Sequence, residues 1–271
     1  QLRVGGIAEP DDSGKFANGI LVLGMHRSGT SAVAGLIRLA GAYLGEPDEL
    51  LPAHSHDNPT GYWERNDVIA THDAMLEDSG YKWDRIAGLD PQRLRADSIA
   101  TLRMNLRKTL DALAMAARPW LSKDPRLCLL LPQWLPLIET PACIIVVRDP
   151  REVAASMRDG PRGAYTSHYL IALWEKYLHS ALTALQGRSV LFVDYAALLE
   201  APEAECRRLI HGLTDLGIRD LRIPKADELS AFLDPHLRRS RPKSHVHLLP
   251  PQTSMLEWLQ TRCAASAPQT V

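Results

Sequence analysis

The chain has 271 residues, of which 45% are hydrophobic and 23% charged, and its formal net charge is −1 at pH 7. This length allows one large α/β domain with a sizeable core, and the composition is that of an ordinary soluble globular protein. The near-zero net charge excludes an overall field that favours nucleic acid or an anionic membrane, so any anion site must be local. The apolar run at 127–138 is interrupted by Pro132, Gln133 and Pro136, and no other run reaches transmembrane length.

The cysteines are few and widely spaced. None of the four belongs to a C-x-x-C pair, which argues against a metal site or a disulfide framework and predicts buried free thiols. Free thiols fit a reducing, cytoplasmic location. No signal-peptide pattern follows Gln1, so a processed or trimmed start is expected there.

The N-terminal part of the chain divides into an arm, a strand, a helix and a loop. Residues 1–18 are polar and Gly-rich and predict a loose arm, followed by a single domain over 19–271. The apolar run 20–23 predicts a strand, and 31–40 predicts a helix that ends at Gly41. The Pro-rich stretch 45–62 predicts a long ordered loop, and loops of this length in compact domains are usually functional.

Apolar runs and amphipathic stretches alternate through the rest of the chain. Predicted helices cover residues 66–78, 91–117, 127–138, 151–157, 166–186 and 202–216, and predicted strands cover 120–123, 142–147 and 190–193. Strands separated by helices imply parallel crossover units. The predicted fold class is therefore α/β, a three-layer P-loop-like fold with a central parallel sheet of four or five strands and helices on both faces. The basic, Pro-rich tail from Asp234 receives no assignment.

A phosphate loop is predicted where the first strand ends. Gly24-Met25-His26-Arg27-Ser28-Gly29-Thr30-Ser31 has the spacing of the G-x-x-x-x-G-K-[ST] pattern, but Thr30 stands where that pattern has lysine. Such a loop directs backbone N–H groups and a helix N-terminus at one anion. Arg27 supplies a positive charge three residues before Thr30. These features predict a phosphate-type ligand other than the triphosphate and Mg²⁺ of ATP.

A second polar group follows the buried strand at 142–147. Arg148 leaves the end of that strand, and Ser156 lies two turns into the next helix. Ligands of open α/β sheets bind at the carboxyl ends of strands, and an arginine with a hydroxyl suits a second phosphate. Taken alone, the segment is more typical of a structural ion pair at a helix start. Together with the phosphate loop at 24–31, however, the segment favours a second phosphate site.

Four segments in this order resemble the sulfotransferases that use 3′-phosphoadenosine-5′-phosphosulfate (PAPS). The loop at 25–31 resembles their 5′-phosphosulfate loop, and Val147-Arg148-Asp149-Pro150 with Ser156 resembles their 3′-phosphate motif. Asn58-Pro59-Thr60-Gly61-Tyr62-Trp63-Glu64 and Lys123-Asp124-Pro125-Arg126-Leu127-Cys128 are similar to signatures of one bacterial branch. The resemblance runs from about residue 20 to 199 and implies transfer of a sulfuryl group from PAPS to an acceptor hydroxyl or amine, with PAP as the product.

The resemblance also implies which residues bind this donor. The 5′-phosphate would lie on the loop formed by His26, Arg27, Ser28, Gly29, Thr30 and Ser31. Arg148 and Ser156 would hold the 3′-phosphate at the opposite end of the nucleoside. Tyr195 resembles a tyrosine that contacts the nucleotide, although Ala196 departs from the acidic residue usual after it.

The C-terminal basic cluster Arg238-Arg239-Ser240-Arg241-Pro242-Lys243 has three open interpretations. It is a solvated face, a nucleic-acid patch or a late segment that closes over the 3′-phosphate, with Arg239 as the candidate contact. Nucleic acid is not expected as a partner, because the net charge is −1 and no stacking motif accompanies the cluster. The Arg-Lys-Gly pattern common in the family is missing.

Candidate catalytic residues follow from the chemistry of an in-line sulfuryl transfer, in which charge develops on the oxygen that bridges to the leaving phosphate. Cations and N–H groups at that oxygen stabilise the charge, and Arg27 lies in the loop that would supply them. Lys123 is the second candidate cation, since related tyrosyl-protein sulfotransferases have a lysine in a similar segment. A hydroxyl acceptor also needs a base. Glu64 is the first choice, with an ordinary first-turn glutamate as the alternative, and His72 is the second, although a lone helical histidine is more often structural.

The acceptor is the least specified part of the prediction. The bacterial branch implies a carbohydrate or cell-surface glycan, and a tyrosyl peptide or a small metabolite stays open. No metal and no membrane-spanning segment is expected, and the oligomeric state is open. Two rival functions remain: a P-loop kinase or nucleotidase, against which Thr30 argues, and a nucleotide-binding protein without catalysis.

Overall fold

The structure is a computed structural model that describes residues 15–54, 58, 60–159, 165–233 and 246–271. In these residues five strands form one sheet in the order β2-β1-β3-β4-β5. The first four are mutually parallel, and β5 is antiparallel to β4. The strands are β1 (Gly19–Leu23), β2 (Trp120–Lys123), β3 (Ala142–Val147), β4 (Ser189–Asp194) and β5 (Gln269–Thr270).

Helices connect the parallel strands and cover both faces of the sheet. They are α1 (Thr30–Leu39), α2 (Asn66–Asp78), α3 (Ala96–Ala114), α4 (Leu127–Trp134), α5 (Pro150–Arg158), α6 (Ser167–Ala184), α7 (Tyr195–Glu200), α8 (Pro202–Asp215), α9 (Ala226–Phe232) and α10 (Pro250–Cys263). None of these helices combines the length and the apolar character needed to cross a membrane.

Two apolar cores lie on opposite faces of the sheet. Successive side chains of a strand point to opposite faces, so Leu21 and Leu23 of β1 join one core while Ile20 and Val22 join the other. Every residue of β1 and β3 is buried, as expected for central parallel strands covered on both faces. The predicted three-layer α/β fold is thereby confirmed, with four of the five strands parallel as predicted and β5 antiparallel.

The strand order creates a crevice between β1 and β3. The chain leaves β1 toward β2 on one side, whereas β3 pairs with β1 on the other side, in a register that aligns Val22 with Ile144. Ligands of open α/β sheets bind at such a switch point, outside the carboxyl ends of the strands. The loop after β1 and Arg148 after β3 therefore lie at the same edge of the sheet.

Several predicted boundaries need correction. The helix predicted over 91–117 begins only at Ala96, because residues 91–95 form turns. The helix predicted over 127–138 ends at Trp134 and continues as a 3-10 turn, since Pro136 provides no N–H for the α-helical pattern. Strand β5 and helices α7, α9 and α10 were not predicted. A two-residue strand has no periodicity to detect, and α10 begins at two prolines within the tail that received no assignment.

The predicted N-terminal arm is described only from Lys15 onward. Phe16 exchanges backbone hydrogen bonds with the segment after α4, donating to Leu137 and accepting from Glu139. The end of the arm next to β1 is therefore attached to the domain, and residues 1–14 lie outside the described part. The basic cluster with Arg239 also lies outside it.

Candidate active site

The loop after β1 has the local geometry of a phosphate loop. The N–H of Ser28 donates to the carbonyl of Met25, and Arg27 adopts a φ of 66° inside this turn. At the base of the loop, the N–H of Gly24 donates to Sγ of Cys128 at 3.1 Å. Burial raises the pKa of this thiol to about 12, so Cys128 acts as a neutral packing residue beneath the loop.

Helix α1 begins at this loop without a side-chain cap. Gly29 is the N-cap residue and has a left-handed φ of 94°. A Cβ atom on Gly29 would lie 2.2 Å from the ring of Tyr195, so both the backbone conformation and the close approach require glycine. Gly29, Thr30 and Ser31, at the start of α1, line the cavity, and the first N–H groups of a helix have no partner within the helix.

Two arginines and a serine form a continuous polar wall beside the loop, here called the arginine wall (Arg27, Arg148 and Ser156). Nε of Arg27 donates to Oγ of Ser156 at 3.0 Å, and Nη1 of Arg148 donates to the carbonyl of Arg27 at 2.9 Å. The sequence predicted two phosphate groups at opposite ends of a ligand. In the structure the residues predicted for those two groups are in direct contact.

The arginine wall is held by neighbouring side chains. Nε of Arg148 donates to Glu152 one turn along α5, at 3.1 Å, and the guanidinium lies 5.0 Å from the ring centroid of Tyr195. Tyr195 therefore packs between Gly29 and Arg148. It is buried and lines the cavity, at the position that the family resemblance implied.

Among the buried polar atoms at this site, one on Ser28 and one on Arg148 have no hydrogen-bond partner within the described residues. They are Oγ of Ser28, which is fully buried, and Nη2 of Arg148. Unsatisfied buried donors are rare in folded proteins and cost free energy unless a ligand or water completes them. An anion with several acceptor oxygens in the cavity would supply an acceptor for Nη2 of Arg148, a lining residue.

A cavity of about 540 Å³ opens at this edge of the sheet. Its lining from the phosphate loop and the arginine wall comprises His26, Arg27, Gly29, Thr30, Ser31, Arg148, Ser156 and Tyr195. Other lining residues come from the long loop and the elements that follow it: Leu51, Pro52, His54, Asn58, Thr60, Tyr62, Glu64, Ile69, Pro125 and Arg126. The predicted functional loop thus forms one side of the cavity.

Glu64 and Lys123 form a buried ion pair at the edge of the cavity. Nζ of Lys123 lies 2.6 Å from Oε1 of Glu64 and 3.2 Å from Oγ of Ser31, which in turn donates to the carbonyl of Tyr62 at 3.2 Å. Glu64 lines the cavity, whereas Lys123, at 2% exposure, lies behind it. The structure thus brings the predicted base and the predicted cation together. The pair contacts α1 at Ser31, the second residue of that helix.

Burial controls the protonation of Glu64. Removal from water is the largest influence and raises the pKa of its carboxyl, while the charge of Lys123 lowers it and only partly offsets the burial. A carboxylate whose pKa is raised toward the working pH is a better proton acceptor than an ordinary glutamate.

His72, the second candidate base, lies away from the cavity. It is fully buried in α2, and both ring nitrogens are engaged. Nδ1 is 3.0 Å from Oδ2 of Asp124, and Nε2 accepts from Nε1 of Trp134 at 2.9 Å. This arrangement leaves neither nitrogen available to an acceptor hydroxyl, so the structure favours the structural interpretation of His72.

Asp124 and Arg126 extend this contact into a buried network, here called the His72 network (His72, Trp134, Asp124, Arg126 and Asp73). Oδ1 of Asp124 accepts from Nη1 of Arg126 at 3.0 Å, and Arg126 also pairs with Asp73 at 2.6 Å. Burial alone would raise the pKa of Asp124, but the His72 hydrogen bond and the charge of Arg126 hold it well below its usual range.

Arg126 lines the cavity, and the sequence analysis did not single it out. The signal was present, because Arg126 belongs to the same Lys-Asp-Pro-Arg segment that supplies Lys123. Three tryptophans in or near these segments are not among the lining residues of the cavity. Trp134 is a core residue, Trp83 packs 4.7 Å from the ring of His26, and Trp63 points away from the cavity onto α1.

The fold and the cavity define a doubly wound α/β protein with a P-loop-like site at its switch point. The model of the Sulfotransferase family matches residues 19–215, more than half of the chain. The chain therefore belongs to the sulfotransferase family, as the four sequence motifs predicted. A comparison with curated proteins finds no match.

A solved sulfotransferase structure shares the fold, and a second one is similar at a lower TM-score. The sulfotransferase domain from the curacin biosynthetic pathway is 14% identical, with a TM-score of 0.50, and the alignment covers 91% of this chain and 97% of that domain. Sulfotransferase STF9 from Mycobacterium avium is 15% identical, with a TM-score of 0.47, and the alignment covers 91% of this chain and 76% of that one. At 14% identity, the similarity to the curacin-pathway domain shows a shared fold and nothing more.

Proposed function

We propose that this protein transfers a sulfuryl group from PAPS to an acceptor hydroxyl by in-line displacement. The observation that carries the proposal is the buried, unpartnered Nη2 of Arg148, a residue that lines the 540 Å³ cavity together with Arg27. Oγ of Ser28, in the loop beside Arg27, is also buried and unpartnered. Such a set of donors and cations needs an anionic ligand with several acceptor oxygens, and PAP and PAPS are anions of this kind.

The donor would lie along the phosphate loop and the arginine wall. The amides at the start of α1 and the guanidinium of Arg27 would hold the 5′-phosphate, while Arg148 and Ser156 would hold the 3′-phosphate. Because Arg27 and Ser156 are hydrogen-bonded to each other at 3.0 Å, a ligand with two separate phosphates must replace or share this bond. Tyr195 would pack against the nucleoside.

The reacting groups would lie at the Glu64 end of the cavity. Glu64 accepts the proton of the acceptor hydroxyl, whose oxygen then attacks sulfur while the bond from sulfur to the bridging phosphate oxygen breaks. Lys123, at 3.2 Å from Ser31 of the phosphate loop, is within reach of the charge that develops on the leaving group. The same lysine holds Glu64 in place before the reaction.

A carbohydrate or glycan hydroxyl is the acceptor class that we propose, on the basis of the branch resemblance. The uncharged lining residues near Glu64, such as Leu51, Thr60 and Ile69, are compatible with a neutral acceptor. We also propose a cytoplasmic location, supported by the four free cysteine thiols, three of which are buried.

Binding of PAP to the folded protein tests the donor. A ligand that binds only the native state stabilises it by about 2.7 kcal/mol at a hundredfold excess over its dissociation constant. We therefore expect millimolar PAP to raise the melting temperature and ATP with Mg²⁺ to have little effect. A shift with ATP–Mg²⁺ and none with PAP would favour the kinase or nucleotidase alternative. PAP binding without transfer of labelled sulfate to any of a panel of acceptors would favour a binding protein.

Substitution Glu64→Gln tests the base. We expect loss of sulfate transfer with PAP affinity nearly intact, because glutamine can still accept from Lys123 but cannot accept a proton. In the wild type, kcat/KM should fall as the pH decreases through the raised pKa of Glu64, at a higher pH than an ordinary glutamate would give. Glu77→Gln, an exposed change on the neighbouring helix α2, is the matched control and should retain activity. Normal activity of the Glu64→Gln variant would rule out this residue as the base.

A further inference from the structure

Trp63 separates two cavity-lining residues and has an unusual backbone conformation. Tyr62 and Glu64 both line the cavity, whereas the side chain of Trp63 leaves in another direction. Its φ is 62°, in the left-handed region that a bulky residue rarely adopts. Such strain persists only where the surrounding contacts impose it.

The contacts that impose it come from the outer side of α1. The guanidinium of Arg38 lies 4.7 Å from the centroid of the Trp63 ring, and the ring of Phe232 in α9 lies 6.3 Å away. A Cβ atom on Gly35 would lie 2.8 Å from Nε1 of Trp63 and 2.0 Å from Phe232, so the absence of a side chain on Gly35 makes room for both rings. The indole is thus clamped onto α1.

The clamp connects the predicted base to the phosphate loop. Helix α1 begins at Thr30, directly after the loop, and Ser31 in its first turn donates to the carbonyl of Tyr62 at 3.2 Å. Trp63 fixes the same segment to the next turns of α1, and Glu64 follows immediately. The segment is therefore attached to α1 at two points just before the carboxylate.

We propose that Trp63 is a positioning residue, whose indole sets the place of the Glu64 carboxylate relative to the phosphate loop. The inference rests on the proposed function. In-line transfer requires the base and the leaving phosphate to be held in one geometry, and a displacement of about 1 Å can lower a rate by about a hundredfold. A ring clamped to the helix that begins at the phosphate loop provides this constraint without touching the reacting atoms.

The test compares Trp63→Ala with Trp258→Ala in sulfate-transfer and PAP-binding assays. Trp258 is a close match, because its ring also lies against an arginine (Arg262, 3.9 Å) and a phenylalanine (Phe192, 5.9 Å), but on α10 away from the cavity. We expect Trp63→Ala to lower kcat by about a hundredfold with little change in PAP affinity, and Trp258→Ala to retain kcat. Trp63→Phe, which keeps a ring beneath Arg38, should recover most of the lost rate.

A double-mutant cycle with Glu64→Gln separates positioning from general damage. The cycle is measured on the residual transfer rate of Glu64→Gln at high enzyme concentration, and if the indole acts through Glu64, Trp63→Ala should lower that residual rate hardly at all. The same hundredfold loss in both backgrounds, or an unchanged kcat in Trp63→Ala, would overturn the inference. Gly35→Ala, which displaces the rings without changing residue 63, should reproduce the loss in kcat if Trp63→Ala proves poorly folded. Absence of transfer by the wild type would instead reject the proposed function.

Discussion

The arginine wall and the His72 network are both buried polar clusters next to the cavity, but they differ in how completely their hydrogen bonds are made. In the His72 network both ring nitrogens of His72 and both oxygens of Asp124 have partners. Beside the arginine wall, Ser28 Oγ and Arg148 Nη2 have none within the described chain. A satisfied buried network stabilises the fold, whereas unsatisfied donors lower stability until a ligand completes them.

The largest effect should come from breaking the satisfied cluster. Asp124→Ala leaves Arg126 and His72 without their shared partner, and we expect a loss of about 3–5 kcal/mol in the free energy of unfolding. Urea denaturation measures it, with Glu228→Ala as the control, since Glu228 pairs with Arg222 on the surface and should matter far less. Equal losses in the two variants would contradict the comparison.

The same cluster predicts a dependence of stability on pH. The pKa of Asp124 is lower in the folded chain than in the unfolded one, so its stabilising contribution is complete above the unfolded value. It disappears as the pH falls toward the folded value. Acid should therefore destabilise the wild type more than Asp124→Ala, which has already lost this contribution.

A smaller effect, on ligand binding and not on stability, should come from removing a charge from the arginine wall. Arg27→Met should weaken PAP binding by roughly a hundredfold, about 2.8 kcal/mol, because a cation that contacts phosphate is lost. Without PAP, stability should change far less, since the hydrogen bond from Arg27 to Ser156 that is lost is worth about 1 kcal/mol. Arg158→Met, on the same helix as Ser156 but bonded to Ser167, controls for net charge. Titration calorimetry measures the PAP affinity of both variants. Equal affinities of Arg27→Met and Arg158→Met for PAP would contradict the prediction.

The smallest effect should come from Ser28→Ala. One hydrogen bond to a ligand is worth about 1 kcal/mol, so PAP affinity should fall by about fivefold. Stability without ligand should not decrease, because Oγ of Ser28 has no partner to lose. Ser180→Ala, a buried serine of α6, is the matched control and should leave PAP affinity unchanged. A clear loss of stability in Ser28→Ala would show that the hydroxyl has a structural role.

Periodicity and composition predicted most of the fold. Strands β2 and β3 and helix α2 have the predicted bounds. The uninterrupted apolar run of β3 and the amphipathic pattern of α2 locate these two elements directly. The elements that were missed are those whose structure depends on tertiary contacts. The pairing of β5 with β4 joins residues far apart in the chain, and nothing in a two-residue stretch predicts it.

The candidate site was predicted by residue type and not by contact. Motif spacing indicated Arg27, Glu64 and Lys123, and the structure brings the latter two within 2.6 Å. Spacing could not show that His72 is enclosed between Asp124 and Trp134, because helical position does not reveal what lies across the core. Motif spacing also could not show that Tyr62 lines the cavity while the neighbouring Trp63 packs against α1.

The close approach of Gly29 and Tyr195 constrains how this site could be redesigned. An alanine at position 29 would place its methyl group inside the tyrosine ring, 2.2 Å from the nearest carbon atom. Position 29 can therefore not be randomised alone in a mutant library, because a smaller residue at 195 must accompany any side chain at 29. Even then the left-handed φ of 94° disfavours a side chain at 29, so engineering of donor specificity should begin at position 195 and leave Gly29 unchanged.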